Sequence, residues 1–209
     1  SNAVFATGKN STITVDHVKI HTTKGSSRGL DATYGGTIIA QDVDIATEGA
    51  HCAALATDRG EGTVTVTRGT LSTAGDGSPC IYSTGIIKAI DSKGIATGSE
   101  IAVVEGKNSI ALENTQLVGN VKHGIMLYQS FSGDADNGTA NFSAKNSKLT
   151  NLSNGPMFYI TNTKAVATLE NTILDSNGTT LINVTSDHWG ATGKNGGDFT
   201  FTARNQKLN

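Results

Sequence analysis

The chain has little proline, cysteine, aromatic residue or charge. Among its 209 residues are 2 Pro and 2 Cys, with 5% aromatic and 16% charged residues. Two cysteines are too few for a disulfide scaffold, and they show no zinc-binding spacing. No apolar run approaches the roughly 18 residues of a membrane-spanning helix, so we expect no membrane insertion. A net charge of −2 argues against a nucleic-acid partner, which selects a basic surface.

What the chain does contain is typical of short strands joined by tight turns. It has 25 Gly, and Thr, Ser and Asn are frequent between apolar residues. Apolar and polar residues alternate with period two in 12–15 and 198–201, as in half-buried strands. Gly interrupts every longer apolar stripe at helical spacing. These patterns predict an all-β protein with little or no helix.

A six-residue word, apolar-x-polar-x-x-aliphatic, recurs eight times along the chain. It is clearest in 169–174 (LENTIL) and 112–117 (LENTQL). Successive words begin 22 to 34 residues apart, a period that indicates a solenoid. We expect the closing aliphatic residues to form one inward column: Ile20, Ile45, Leu71, Ile95, Leu117, Leu149, Leu174 and Leu208.

Each repeat also carries a second apolar segment, such as Cys80–Thr84 or Met157–Thr161. Two or three short strands per repeat predict a right-handed parallel β-helix of about seven to eight coils. Neighbouring coils would stack about 4.8 Å apart. An antiparallel sandwich or barrel is the alternative, but two-residue hairpin loops are scarce and the repeats do not reverse.

The third position of the word holds Asn114, Asn146, Asn171 and Asn205, while the other copies have His17, Asp42, Arg68 and Ser92. The chain thereby resembles, over about residues 8–209, the right-handed β-helix superfamily of the pectate lyases. In character it is closest to the β-helices of bacterial surface adhesins and autotransporter passengers. The resemblance implies a stacked asparagine ladder at a sharp bend. Asn tolerates the left-handed conformation, and its amide can bond to the copies above and below.

Residues 1–3 (SNA) look like a remnant of an affinity tag, and residues 4–209 are interpreted as one β-helix domain. The final word, 203–208, would begin an unfinished coil. We therefore expect an excerpt of a longer bacterial protein, secreted or displayed on the cell surface, with the parent chain continuing beyond it.

Cys52 and Cys80 align in one column of adjacent coils. Both stand among apolar residues, so buried neutral thiols are the first expectation. A disulfide along the stack is an alternative. A catalytic thiol is another, although no His recurs near both.

Two long loops follow the second apolar segments of two coils. They are 129–138 and 186–197, and the coil between them has the short link 162–164. If the coils stack in register, the loops would wall a shallow groove about 10 Å wide. Functional residues usually lie on loops of this kind. The residues expected to bind a ligand there are Phe131, Asp134, Asp136, Lys164, Asp187, His188 and Trp189.

An exposed aromatic ring beside carboxylates suits sugar recognition, because the ring stacks on the pyranose face while carboxylates accept hydroxyl hydrogen bonds. The alternative is that Trp189 and Phe131 fold down to cover the side of the coil. Asp134 and Asp136 also resemble the start of a calcium loop. Since the rest of that pattern is missing, no cofactor is predicted, and calcium remains a weak candidate.

The enzyme hypothesis is less well supported. Polysaccharide lyases and glycosidases of the resembled superfamily use clustered carboxylates on one outer sheet, and no carboxylate pair spans adjacent coils here. Glu100 and His123 are expected to be neighbours in adjacent coils, as an acid–base pair or, more simply, a solvated cross-strand pair.

The leading hypothesis is an adhesin-like module that binds carbohydrate or another host surface ligand, or acts as a spacer. A lyase or hydrolase and a purely structural stalk are the alternatives.

Overall fold

The computed structural model describes residues 1–189 and 195–209, and it confirms an all-β parallel solenoid of about seven turns. Within those ranges there is no helix, so none that could span a membrane. The strands are β1 (Val4–Thr7), β2 (Thr12–Thr22), β3 (Leu30–Thr33), β4 (Gly36–Thr47), β5 (Leu55–Thr57), β6 (Gly62–Thr73), β7 (Ile81–Ser83), β8 (Ile86–Ile90), β9 (Lys93–Ala96), β10 (Ala102–Glu105), β11 (Ser109–Glu113), β12 (Gln116–Gly119), β13 (Ile125–Tyr128), β14 (Thr139–Lys145), β15 (Lys148–Asn151), β16 (Phe158–Thr161), β17 (Lys164–Glu170), β18 (Ile173–Ser176), β19 (Ile182–Val184), β20 (Asp198–Arg204) and β21 (Lys207–Leu208).

The strands form two parallel sheets that enclose the core. The eight-stranded sheet has the order β1-β3-β5-β7-β10-β13-β16-β19, one strand per coil. The thirteen-stranded sheet bends at the asparagine ladder: β2, β4 and β6 run through the bend, whereas later coils have a separate strand on each side of it. All the strand pairs are parallel, which excludes the antiparallel sandwich for the described residues.

Period-two alternation explains how each coil fills the core. In β6, Val64 and Val66 are fully buried and point inward, while the intervening Thr65 lies on the outer face. Burying one such aliphatic side chain contributes about 1.5–3 kcal/mol. A single coil has no partner layer for these side chains, so stability arises from stacking.

The asparagine ladder is present at the bend. Asn114, Asn146, Asn171 and Asn205 all have positive φ, between 46° and 54°. The Asn171 amide donates to Asn146 Oδ1 at 2.7 Å and accepts from Asn205 Nδ2 at 3.1 Å. Placing Ser92 in this ladder was wrong. The residue with positive φ in that coil is Asp91, which accepts a bond from Asn114 Nδ2 at 2.8 Å.

The same one-residue shift corrects the inward column. The register places Gly94, and not Ile95, between Leu71 and Leu117. Ile95 is 40% exposed on the outer face. The space beside Gly94 is filled by Leu71, Leu117 and Cys80, which a Cβ at Gly94 would meet at 3.0–3.1 Å. Requiring an aliphatic residue at the last position of every copy therefore misplaces the alignment of this copy by one residue.

The two cysteines do not share a column, contrary to the sequence alignment. Leu55 pairs with Ile81, which places Cys80 beside Ala54, while the Cys52 backbone N–H donates to Ser78 Oγ. Both thiols are free and fully buried, as first expected, and no disulfide joins them. Burial raises the pKa of Cys80 to about 12, so this thiol stays neutral.

Candidate functional site

A cleft on the outer face of the eight-stranded sheet is the best candidate site. Its floor is a column of outward side chains from four successive coils: Tyr82, Val103, Met126 and Tyr159. These residues and their neighbours enclose about 330 Å³. We call this space the aromatic cleft, defined by Tyr82, Tyr128, Tyr159, Trp189, Glu100, His123, Asp187 and His188.

The segment after β19 folds back over this floor. The Trp189 ring packs edge-on against Tyr128, with ring centroids 5.0 Å apart, and lies 4.3 Å from the His188 ring. Tyr128 belongs to a coil two steps towards the N-terminus, about 10 Å along the solenoid. Trp189 thus covers part of the sheet and at the same time forms one wall of the cleft.

Glu105 anchors the aromatic side chains from below. It is 3% exposed, and its carboxylate accepts hydrogen bonds from the hydroxyls of Tyr82 at 2.5 Å and Tyr128 at 3.3 Å, and from Ser130. Burial chiefly, and the nearby Glu105 carboxylate, raise the pKa of both tyrosines. Their phenol groups therefore remain protonated and hold their rings in place.

Glu100 and His123 form a close, buried pair at the edge of the cleft. His123 Nδ1 lies 3.2 Å from Glu100 Oε1, with each side chain nearly nine-tenths buried. The expectation of a solvated pair was therefore wrong. Burial opposes the charged form of Glu100, but hydrogen bonds from His123, its own backbone and Ser99 outweigh it and lower the pKa. The His123 ring also stacks on Tyr159, with centroids 4.2 Å apart.

Asp187 provides a second carboxylate on the opposite side. Its Oδ2 accepts a hydrogen bond from the Tyr159 hydroxyl, and its Oδ1 accepts one from the His188 backbone N–H at 2.6 Å. The Tyr159 bond foremost, with those from His188, lowers the pKa of Asp187 to about 2. Asp187 is therefore ionised at neutral pH.

The cleft continues towards the N-terminal coils as a second, more polar space of about 250 Å³. Tyr82 and Gly77 border both spaces. We call the second space the polar extension, defined by Arg28, His51, Asp58, Thr84, Glu105 and Asp134. Together the two spaces follow the solenoid axis.

Four of the seven ligand-binding residues predicted from the sequence line one of the two spaces. Asp187, His188 and Trp189 line the aromatic cleft, and Asp134 lines the polar extension. Phe131 is 72% exposed beside Trp189, at a centroid distance of 6.4 Å. Lys164 is exposed on β17 and lines neither space. Asp136, in the first long loop, is also exposed and lines neither space.

The side chain of Asn162 bridges the predicted groove between the loops. Asn162 Nδ2 donates to the backbone carbonyls of Gln129 at 2.8 Å and Trp189 at 3.1 Å. The two loops do lie side by side, but this amide ties them together over the coil between them. Residues 190–194 of the second loop lie outside the described residues.

The acidic residues proposed for calcium are ion-paired with different bases. Asp134 contacts Arg59 at 2.6 Å, and Asp136 contacts Lys107 at 3.1 Å. This arrangement favours salt bridges over a calcium loop. In the described part of the chain, the one group with metal-ligand spacing is Asp16, His17 and Asp42. Arg68 already forms a two-fold hydrogen bond with Asp42.

Comparison with known proteins identifies no relative. No family model, curated protein or solved structure matches the chain at a significant level. The parallel solenoid is therefore established by the structure alone.

Glu105 and Tyr128 were missed in the sequence, although the signal was available. They occupy the same outward position in adjacent coils, two residues beyond Val103 and Met126. Catalytic carboxylates were expected as pairs of acids in adjacent coils, whereas here an acid lies opposite a tyrosine.

Proposed function

We propose that this solenoid is a carbohydrate-binding module and that the aromatic cleft is its binding site. The observation that carries the proposal is the combination of tyrosine and tryptophan rings with the ionised carboxylates of Glu100 and Asp187 around one cleft. Aromatic faces pack against the apolar faces of sugar rings, and carboxylates accept hydrogen bonds from sugar hydroxyls. A module of a secreted or surface-displayed protein is the setting that this role suits.

The rigidity of the cleft supports recognition. Glu105 holds Tyr82 and Tyr128, while Asp187 holds Tyr159. Side chains that are already fixed lose little conformational freedom when a ligand binds. The coil spacing of about 4.8 Å also brings a new side chain to the cleft at intervals similar to the length of one sugar unit.

Trp189 allows a direct test because it is the only Trp in the chain. A glycan panel would first identify ligands, and titration would then follow the Trp189 fluorescence. We expect an emission change on binding and loss of binding in Trp189→Ala. Tyr34→Ala is the matched control, because Tyr34 is an exposed aromatic residue outside the cleft. Equal binding by both variants would move the site elsewhere, and no binding to any glycan would reject the proposal.

Turnover of a bound glycan is the second candidate function. The Glu100–His123 pair is the observation that favours it, since a carboxylate beside an imidazole at a cleft edge can exchange a proton with a ligand. New reducing or unsaturated chain ends after incubation would support an enzyme. If His123→Ala abolished such cleavage while Trp189 fluorescence still reported binding, catalysis would be assigned to this pair. Intact glycan after prolonged incubation would favour a binding module.

A further inference from the structure

The lining of the two adjoining spaces, which share Gly77 and Tyr82, is acidic. Five carboxylates border them, from Asp58, Glu100, Glu105, Asp134 and Asp187. Their cationic lining residues are Arg28 and Lys122. With histidines neutral, the described lining has a formal net charge of −3. Arg28 pairs with Asp58, and Arg59, from outside the lining, pairs with Asp134 and brings the total to −2. The whole chain also has a net charge of −2, so the residues other than Arg59 and this lining have no net formal charge.

Hydrogen bonds to carboxylates make the tyrosine rings around the same space electron-rich. Tyr82 and Tyr128 donate their hydroxyl hydrogens to Glu105, and Tyr159 donates to Asp187. A phenol that donates to a carboxylate becomes a better acceptor and a more electron-rich ring. Cations bind favourably to the faces of such rings and of Trp.

A buried hydroxyl in the polar extension also lacks a partner. Thr84 is 2% exposed and borders this space, and its Oγ1 has no hydrogen-bond partner among the described residues. Buried polar atoms are normally satisfied. A ligand ammonium group has three donors and no acceptor, so it could donate to the Thr84 oxygen within a space that carboxylates also line.

We propose that the cleft selects glycans that carry protonated amino groups, such as de-N-acetylated amino-sugar polymers, over neutral and acidic glycans. This inference rests on the proposed carbohydrate-binding function and specifies its ligand class. Acidic glycans would face like charge from Glu100 and Asp187. Neutral glycans would stack on the rings but leave the Thr84 hydroxyl and the acidic lining without a cation.

The test is calorimetric titration of the protein with three probes of equal length at roughly pH 7, where the histidines of the lining are mainly neutral. They are a glucosamine tetramer, its fully N-acetylated counterpart and a galacturonic acid tetramer. We expect the glucosamine tetramer to bind at least about tenfold more tightly than the other two. High salt should reduce that difference, because it screens charge more than it weakens stacking.

Variants of the carboxylates distinguish the contribution of charge to affinity from that of ring stacking. Glu100→Gln with Asp187→Asn should reduce glucosamine affinity towards that of the N-acetylated tetramer, whose own affinity should change little. Asp44→Asn, at an exposed position outside the cleft, is the control and should keep the full preference.

Equal affinity for the glucosamine and N-acetylated tetramers would overturn the inference but leave the carbohydrate site standing. Tighter binding of galacturonic acid would overturn it as well. If none of the probes bound while the glycan panel gave a ligand, only the amino-sugar inference would fall. No binding in either experiment would remove both proposals.

Discussion

The Tyr82 hydroxyl donates a hydrogen bond of 2.5 Å to Glu105, which lies one coil further along the solenoid. The Tyr128 hydroxyl, from the next coil, lies 2.6 Å from that of Tyr82 and also donates to Glu105. Ser130, in the first long loop, bonds to the same carboxylate. One buried acid thus joins three coils and anchors a loop beneath the aromatic cleft.

Glu105→Gln should therefore weaken both the fold and the cleft. The amide can accept through one oxygen, and its NH₂ group meets hydroxyls that now donate to the carboxylate. We expect a loss of about 1–3 kcal/mol in the free energy of unfolding, measured by chemical denaturation. Trp189 fluorescence should shift in the folded variant, because Tyr128 packs against that ring. Glu113→Gln, at an exposed position, is the control, and an equal loss there would contradict the role of Glu105.

Asp31 should make the protein less stable at neutral pH than at mildly acidic pH. It is 1% exposed, and burial raises its pKa from 3.8 to about 6, with Arg28 opposing and Asp58 reinforcing the change. The folded state then binds more protons than the unfolded state between those values. Stability from this group is therefore full below about pH 4 and falls as the pH rises through about 6.

Asp31→Asn should remove this dependence. Its amide oxygen can still accept the hydrogen bond that Asn2 donates to Asp31 Oδ2. At pH values above 6 we expect the variant to be about 3 kcal/mol more stable than the parent protein, with little difference at low pH. Urea denaturation across this range would measure the change. An unaltered pH profile in Asp31→Asn would assign the dependence to another group.

The ladder residue Asn171 combines a backbone requirement with side-chain bonding. Its φ is 48°, and its amide bonds to Asn146 and Asn205. Asn171→Ala should lose about 2 kcal/mol, because it retains the cost of the left-handed conformation and loses the hydrogen bonds. Asn171→Gly removes the conformational cost and should lose about half as much. Equal losses in unfolding free energy would show that the backbone conformation matters little.

A glycine column marks where successive coil backbones pass too closely for a side chain. A Cβ at Gly75 would overlap the Gly49 carbonyl oxygen, and one at Gly98 would lie 2.5 Å from the Gly75 carbonyl oxygen. We expect Gly75→Ala to lower the unfolding free energy by about 1–3 kcal/mol through overpacking.

Gly25→Ala is the matched control in the same turn region. Its Cβ would meet the Ala50 carbonyl oxygen at 3.6 Å, an ordinary contact. We expect this variant to be close to the parent protein in thermal unfolding. A similar decrease in both variants would show that backbone flexibility, and not crowding, explains the glycines.

The recurring word carried most of the architectural information. Its period predicted a parallel solenoid, and its asparagine position predicted the left-handed residues Asn114, Asn146, Asn171 and Asn205. The prediction was wrong in the fourth copy, where Gly94 leaves its inward position without a side chain. Nearby side chains from other coils occupy that space, and a pattern within one repeat does not contain this information.

The candidate site was predictable only in part. The sequence singled out Asp187, His188 and Trp189 because they lie in a long loop, but it placed them in a groove between two loops. The structure shows the link residue Asn162 spanning that gap and Trp189 turned back onto Tyr128. The course of a long loop depends on contacts with residues far away in the chain.

The sequence by itself determined the parallel stacking and the bend at residues with a left-handed backbone conformation. Both arise from local preferences repeated in every coil. Only the tertiary structure decided which residues meet on the outer face. Glu105 with Tyr82 and Tyr128, and Glu100 with His123, are brought together by the register between coils. A change of one residue in a link alters that register while leaving the repeated word intact, so the chemistry of the cleft depends on the assembled fold.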